Sequence, residues 1–251
     1  MNEISYDERA KFYDNEVTVD STKIDFFRKI KEALNINTSI YCPCATGIYL
    51  DSFSKIFTQS IFADINPNMI KKISEKLGLK KISNITTEVI DIKKMNEINQ
   101  KIDCIFVLDQ AVQYINRTDF KKFLINSYYI SKYIVLDMFD FKKEGILSYF
   151  NSNFITGDFY ESKRFKVDGK TVVRTNKHLF YGDNKITFYY HYKTDDNREY
   201  STEFTLNNYS YKSTLDVINE TKLYKVINEY KDYQMGDYDS LGHFIIILEK
   251  I

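Results

Sequence analysis

An open α/β fold around a parallel sheet is what this sequence predicts, and three stretches carry the expectation. Residues 38–47 read as a short strand, Thr-Ser-Ile-Tyr-Cys-Pro, running into a small-residue turn, Cys-Ala-Thr-Gly, with a helical pattern behind it. The next strand, 60–64, ends in an acid, Asp64. Residues 102–108, Ile-Asp-Cys-Ile-Phe-Val-Leu, are apolar apart from Asp103 and Cys104, as a central strand covered on both faces requires.

The elements follow in order. Residues 6–15 form a short polar helix or turn. A helix over 22–34 has a stripe of Ile24, Phe27, Ile30 and Leu34, with Phe26 beside it. The strand at 38–43 comes next, then a helix over 48–57 burying Leu50, Phe53 and Phe57, and then the strand 60–64. Asn66 is placed to cap the following helix and Pro67 to occupy its first turn; Met69, Ile70, Ile73 and Leu77 form its inner face, closed by Gly78. A strand over 84–90 leads to Asp91 and a loose segment to about 100. The strand 102–108 delivers Asp109, Gln110, Gln113 and Tyr114 to a loop; Asn116 caps a helix to about 130, and a strand over 132–138 completes five parallel strands in a right-handed series.

After residue 140 the pattern changes. Short aromatic strands at about 158–167, 170–180, 185–194 and 198–206, with Asp168-Gly169, Gly182-Asp183-Asn184 and Asp195-Asp196-Asn197 between them, predict an antiparallel meander. Both faces of the third strand are aromatic, so both want cover: one over the ligand cleft, the other against a second subunit. Ser213 to Asp216 has the spacing of a capping box before a helix to about 221, and strands at 223–231 and 242–249 end the chain.

The turn at 43–47 has the least side-chain bulk, so the backbone can pass beside a ligand with the next helix aiming its free N–H groups at it. Asp64 lies at the same sheet edge, where a carboxylate accepts ribose hydroxyls. The turn has one glycine, Gly47, against the three of a dinucleotide fingerprint, and it lacks the lysine of a triphosphate loop. A ribose-bearing ligand without a pyrophosphate fits it better than NAD or ATP.

Ile-Tyr-Cys-Pro-Cys-Ala-Thr-Gly at 40–47 resembles the glycine-rich first motif of the class I S-adenosylmethionine-dependent methyltransferases. Asp64 matches that family's ribose acid, Asp91-Ile92 the pair beside the adenine, and 102–109 the fourth strand with its terminal acid. The resemblance implies a Rossmann-like sheet of about seven strands with the last antiparallel. It also implies a cofactor domain of 1–140 and 207–251, with 141–206 as an antiparallel insertion for substrate binding or dimerisation. Tyr6, Asp7, Ala10, Tyr13 and Asp14 match a segment that folds over the cofactor, putting Tyr13 and Tyr6 near the sulfonium. The other implied cofactor contacts are Cys42, Pro43, Ala45, Gly47, Asp64, Ile65, Met69, Asp91, Ile92, Leu108, Asp109 and Gln113, with Gln113 ranked above Gln110 and a core role weighing more for Met69. The departures are equally specific. The first-strand acid, a partner for the cofactor's amino group, falls on Tyr41, and two glycines fall on Pro43 and Ala45. Alanine there is tolerable with a negative φ.

Lys plus Arg and Asp plus Glu number 35 each, a neutrality that argues against a general nucleic-acid binder. No stretch approaches a membrane span. Three cysteines without a secretory leader fit a reducing, cytoplasmic setting, where they act as small buried hydrophobes. The three histidines share no local spacing with them, so no metal site is expected. The functional expectation is methyl transfer from S-adenosylmethionine to a small-molecule acceptor, an amine being favoured, because the insertion has the layout of nucleotide-sugar amino-group methyltransferases, which are dimers. His178 is the expected acceptor-orienting or proton-accepting residue, Tyr13 its catalytic companion, and Tyr114 and His191 further acceptor contacts. The rival readings are a methyltransferase fold diverted to another cofactor-assisted reaction, and a noncatalytic protein that binds partners through its aromatic sheet.

Overall fold

The computed structural model describes residues 2–3, 9–10, 13–143, 158–181 and 184–251. In chain order the elements are β1 (Asn2–Glu3), α1 (Tyr13–Glu16), α2 (Ser21–Leu34), β2 (Thr38–Tyr41), α3 (Leu50–Ile56), β3 (Gln59–Asp64), α4 (Pro67–Lys80), β4 (Ile85–Val89) and β5 (Ile102–Val107). After them come α5 (Arg117–Tyr128), β6 (Ser131–Phe139), β7 (Tyr160–Val167), β8 (Lys170–Tyr181), β9 (Lys185–Thr194), β10 (Glu199–Asn207), α6 (Tyr211–Thr221), β11 (Tyr224–Tyr230) and β12 (His243–Lys250).

The larger sheet has the order β11-β12-β6-β5-β2-β3-β4. Its strands are parallel except β12, which runs against both neighbours, so His243 at its start pairs with Phe139 at the end of β6. Alternation divides the side chains between two layers. Ile105 and Val107 face α5 and α6, packing with Phe120, Phe123, Val217 and Ile218. Cys104 and Phe106 face the other layer with Phe26, Phe27 and Phe53. Each such phenylalanine removes enough apolar surface from water to stabilise the fold by about 2 kcal/mol. Asn66 caps α4 by accepting from the Asn68 N–H at 2.8 Å, and Pro67 occupies its first turn. The C-terminal helix is capped by Ser210 rather than Ser213: Ser210 Oγ accepts from Ser213 N at 3.1 Å, so α6 starts before the box read from the sequence.

The second sheet has the order β1-β10-β9-β8-β7. Its four long strands form the expected meander, and β1 adds to β10 in parallel, Asn2 opposite Tyr200. Two joints bind this sheet to the larger one. Gln113 Nε2 donates to Phe139 O at 2.9 Å and to Asn207 O at 3.0 Å, while its Oε1 accepts from Phe139 N at 2.8 Å. The second joint is the N-terminal segment. Glu16 is buried between Arg9 and Arg174 and accepts from Tyr192 Oη at 3.1 Å; two residues earlier, Asp14 accepts from Thr46 Oγ1 at 2.5 Å and pairs with Lys76. The segment therefore ties the second sheet to the turn after β2.

Candidate functional site

A cleft of about 870 Å³ opens at the carboxyl ends of the parallel strands, where open α/β sheets bind ligands. Its floor is the turn after β2, the end of β3, residues 108–111 and the end of β6; its roof is the N-terminal segment with Phe188, Tyr190 and Phe204 of the second sheet.

On the β3 side, backbone does most of the shaping. Cys44 N donates to Ala63 O at 2.9 Å, and Ala45 N donates to Asp64 Oδ2 at 2.9 Å. Asp64 Oδ1 accepts from Asn66 N at 2.9 Å. Only 2% of Asp64 is exposed, and burial pushes its carboxyl up against the opposing pull of the Asn66 and Ala45 N–H groups. Ala45 has φ +47°, so the negative φ expected of an alanine here is not what the turn adopts; the left-handed conformation turns its N–H back onto Asp64. Gly47 has φ +72°, and a Cβ there would come within 3.0 Å of Ile73 Cγ1.

On the β5, β6 and β12 side, charged side chains meet. Asp109 and Gln110 are consecutive left-handed residues, both at φ 56°. Asp109 forms an ion pair with Lys23 of α2, and Tyr41 Oη donates to Asp109 Oδ2 at 3.3 Å. Asp137, 1% exposed, accepts from the Asp109 N–H at 2.7 Å, from Tyr233 Oη and from Gln110 Nε2 at 3.4 Å; His243 Nε2 lies 2.7 Å from its other oxygen. Burial pushes the Asp137 carboxyl up, but the His243 hydrogen bond and charge, with Lys23 and Tyr233, hold it below its ordinary range. For Lys23 burial pulls the ammonium down, and Asp109 and Asp137 outweigh it. Two carboxylates against one ammonium leave this rim favourable to a further cation.

Of the residues singled out in the sequence, Tyr13, Pro43, Ala45, Asp64, Leu108, Asp109 and Tyr114 line the cleft, joined by Tyr41, Cys44 and Gln110. The others do not line it. Cys42, Met69 and Gln113 are buried in the core, and Gln113 is a clamp between the sheets, so Gln110 rather than Gln113 meets the cleft. Gly47 shapes the turn from behind it. Asp91 caps a 3-10 turn, accepting from Lys93 N at 2.9 Å, and Ile92 packs on the core. Ile65 points outward, 62% exposed. Tyr6 lies outside the described residues.

The two histidines chosen for the acceptor both lie in the second sheet and do not line the cleft. His178 is 2% exposed in the second sheet, its ring 4.6 Å from that of Phe188, and burial, with Arg174 nearby, lowers it to about 4. It is neutral at physiological pH and away from the cleft wall. His191 faces Glu199 at 3.8 Å on the same sheet. The residues that sequence reasoning missed are Lys23, Asp137, Tyr233 and His243. Two had a signal: Lys23 stands on the stripe three and four residues before Phe26 and Phe27, and Asp137 interrupts the apolar run Ile134 to Phe139.

Residues 42–132 match the methyltransferase domain family. Among solved structures, the chain is similar to an S-adenosylmethionine-dependent methyltransferase from Clostridium acetobutylicum, with a TM-score of 0.78 at 16% identity, over 97% of this chain and 98% of that one. The CcbJ methyltransferase from Streptomyces caelestis gives 0.71 at 12% identity, over 97% and 96%. CalS10, an amino pentose methyltransferase from Micromonospora echinaspora, gives 0.67 at 14%, over 98% of each chain. Comparison with curated proteins gave no match. The fold is that of the class I S-adenosylmethionine-dependent methyltransferases. Among the described residues, no helix is long and apolar enough to cross a membrane.

Proposed function

We propose that the protein transfers a methyl group from S-adenosylmethionine to a small-molecule acceptor carrying an amine. The observation that carries this reading is one cleft with a carboxylate for a ribose at one end and an ammonium–carboxylate pair, Lys23 and Asp109, toward the other. That spacing of groups fits an adenosine joined to a zwitterionic amino acid. The bound donor supplies an activated methyl on a sulfonium.

Everything else falls to the chain's own residues. Asp64, already holding the turn, has lone pairs left for ribose hydroxyls. Tyr41 cannot act as a charge partner, but its hydroxyl reaches Asp109, which takes over as the anion for the donor's amino group, while Lys23 meets the carboxylate. A zwitterion thus exchanges one internal ion pair for two. Tyr13 and the aromatic roof exclude water, and Tyr114, its ring 5.7 Å from that of Phe204, narrows the acceptor side. Support for the amine comes from the negative balance of the Asp109–Asp137 rim and from the similarity to an amino pentose methyltransferase.

Calorimetric titration with S-adenosylmethionine and S-adenosylhomocysteine tests the proposal directly. Binding of both, weakened at least tenfold in Asp109→Ala, is the expected result; a chain that binds neither does not carry out this reaction.

A further inference from the structure

Of the three histidines only His243 faces the cleft. It is the first residue of β12, and because β12 alone runs against the sheet, its start arrives at the edge where the parallel strands end. Neighbouring strands lie about 4.8 Å apart, and β12 is three strands from β2, so His243 stands roughly 14 Å across the cleft from the small-residue turn. That is past the Lys23–Asp109 pair, on the side of the cleft left to the acceptor.

Its ring is held by three neighbours. Nε2 meets Asp137 Oδ1 at 2.7 Å, and the Phe139 and Tyr233 rings lie 4.6 and 5.9 Å from it. Asp137 is itself held by hydrogen bonds, its second oxygen accepting from Asp109 N, Gln110 Nε2 and Tyr233 Oη. An acceptor-only carboxylate at Nε2 selects the tautomer with the hydrogen there, which leaves the Nδ1 lone pair available; among the described residues Nδ1 has no hydrogen-bond partner. A base oriented by a buried third group is the general design of activated sites.

We infer that His243, positioned by Asp137, takes the proton from a protonated amine acceptor. This role rests on the methyl-transfer reading above. The acceptor ammonium gives a proton to Nδ1, which frees the nitrogen lone pair; that pair forms the new N–C bond as the C–S bond breaks and its electrons return to sulfur. The product leaves as an N-methylammonium, and the imidazolium returns its proton to water. His243 is the catalytic base and Asp137 a positioning residue. The charged and titratable groups around the ring are Asp137 on β6, Asp109 after β5, Lys23 on α2, and Tyr233 with the Lys231–Asp239 ion pair between β11 and β12.

The test uses the full chain in three parts. Calorimetry with S-adenosylmethionine comes first; no binding by the wild type sinks the methyl-transfer reading itself. Release of S-adenosylhomocysteine is then followed from pH 6 to 9 with primary and secondary amines, amino sugars among them. His243→Gln is expected to lose at least tenfold in kcat, keep donor affinity within twofold, and lose the rise in rate with pH; Asp137→Asn is expected to displace that rise, and His178→Gln to keep it. If His243→Gln retains the wild-type pH profile while the donor binds, the base is elsewhere and the reading of the fold's activity survives. If the donor binds and no amine is methylated, the amine class fails and the role of His243 falls with it. Finally, nitrogen NMR of histidine-labelled wild type reads the tautomer without turnover: a hydrogen on Nδ1 in neutral His243 overturns the assignment.

Discussion

The two rims of the cleft are built differently. At the β2–β3 rim the shaping groups are neighbours in sequence or in one βαβ unit: Cys44, Ala45, Asp64 and Asn66 exchange backbone-led hydrogen bonds over about twenty residues. At the β5–β6–β12 rim Lys23, Tyr41, Asp109, Asp137, Tyr233 and His243 come from six separate stretches and interact through side chains. A rim made of local backbone resists drift in sequence, since Pro43 and Ala45 stand where the family's glycines do and the turn still closes. A rim made of distant side chains can change its chemistry one residue at a time. The roof follows the second pattern, because Glu16 gathers Arg9, Arg174 and Tyr192 from three places.

That contrast can be broken most forcefully at the roof. Glu16→Ala leaves Arg9 and Arg174 facing each other without their carboxylate, and a loss of about 3–5 kcal/mol is expected by analogy with other broken buried ion pairs. Chemical denaturation measures it; a loss below about 1 kcal/mol makes the N-terminal segment a loose flap instead of a joint.

The next test is read in pH. The Glu16 and Asp137 carboxyls are held below their ordinary values of 4.5 and 3.8, so their stabilisation is complete above those values and is lost as pH falls through the lower folded ones. His178 has the opposite kind of charge and a depressed value. The unfolded chain takes up its proton near 6.5, the folded chain only near 4, so stability declines across that window as pH falls. His178→Phe should abolish the decline between pH 6.5 and 4 and leave the steeper loss below it. Identical pH–stability curves for the two proteins remove His178 from that window.

Asp64→Ala sharpens the local rim. As a ribose acceptor Asp64 would contribute about 1.5–3 kcal/mol to donor affinity, the range for hydrogen bonds to a charged group. Because Asp64 also holds Ala45 N and Asn66 N, a fold penalty of about 2 kcal/mol is expected as well. Asp64→Asn keeps an acceptor for the turn, so a smaller stability loss with a comparable affinity loss would separate the two jobs; unchanged affinity in both variants takes Asp64 out of the site.

The smallest effect is at Ala45. Glycine adopts φ +47° without the clash that alanine suffers, so Ala45→Gly should raise stability by about 0.5–1 kcal/mol after the extra freedom of the unfolded chain is counted. A destabilised variant would mean that the Ala45 methyl contributes more by packing than its backbone loses.

The alternation of strand and helix and the meander at 160–207 follow from periodicities within the sequence, whereas the seven strands with the last one reversed were implied by the family resemblance. The small-residue turn and Asp64 were legible for the same reason: neighbouring residues and one crossover fix their geometry. Asp91 and Gln113 each spend hydrogen bonds on a cap or a clamp that only packing reveals. His178 sits in β8, whose two faces both mix polar and apolar residues, so alternation could not say which face was covered. Local order along the chain determined the strand–helix pattern and the β2–β3 rim, since backbone hydrogen bonds and side-chain period act over a few residues. Tertiary structure alone decided the β5–β6–β12 rim, because Lys23, Asp137 and His243 meet only after α2, β6 and the reversed β12 have packed, and no spacing in the chain encodes a contact made across 106 residues.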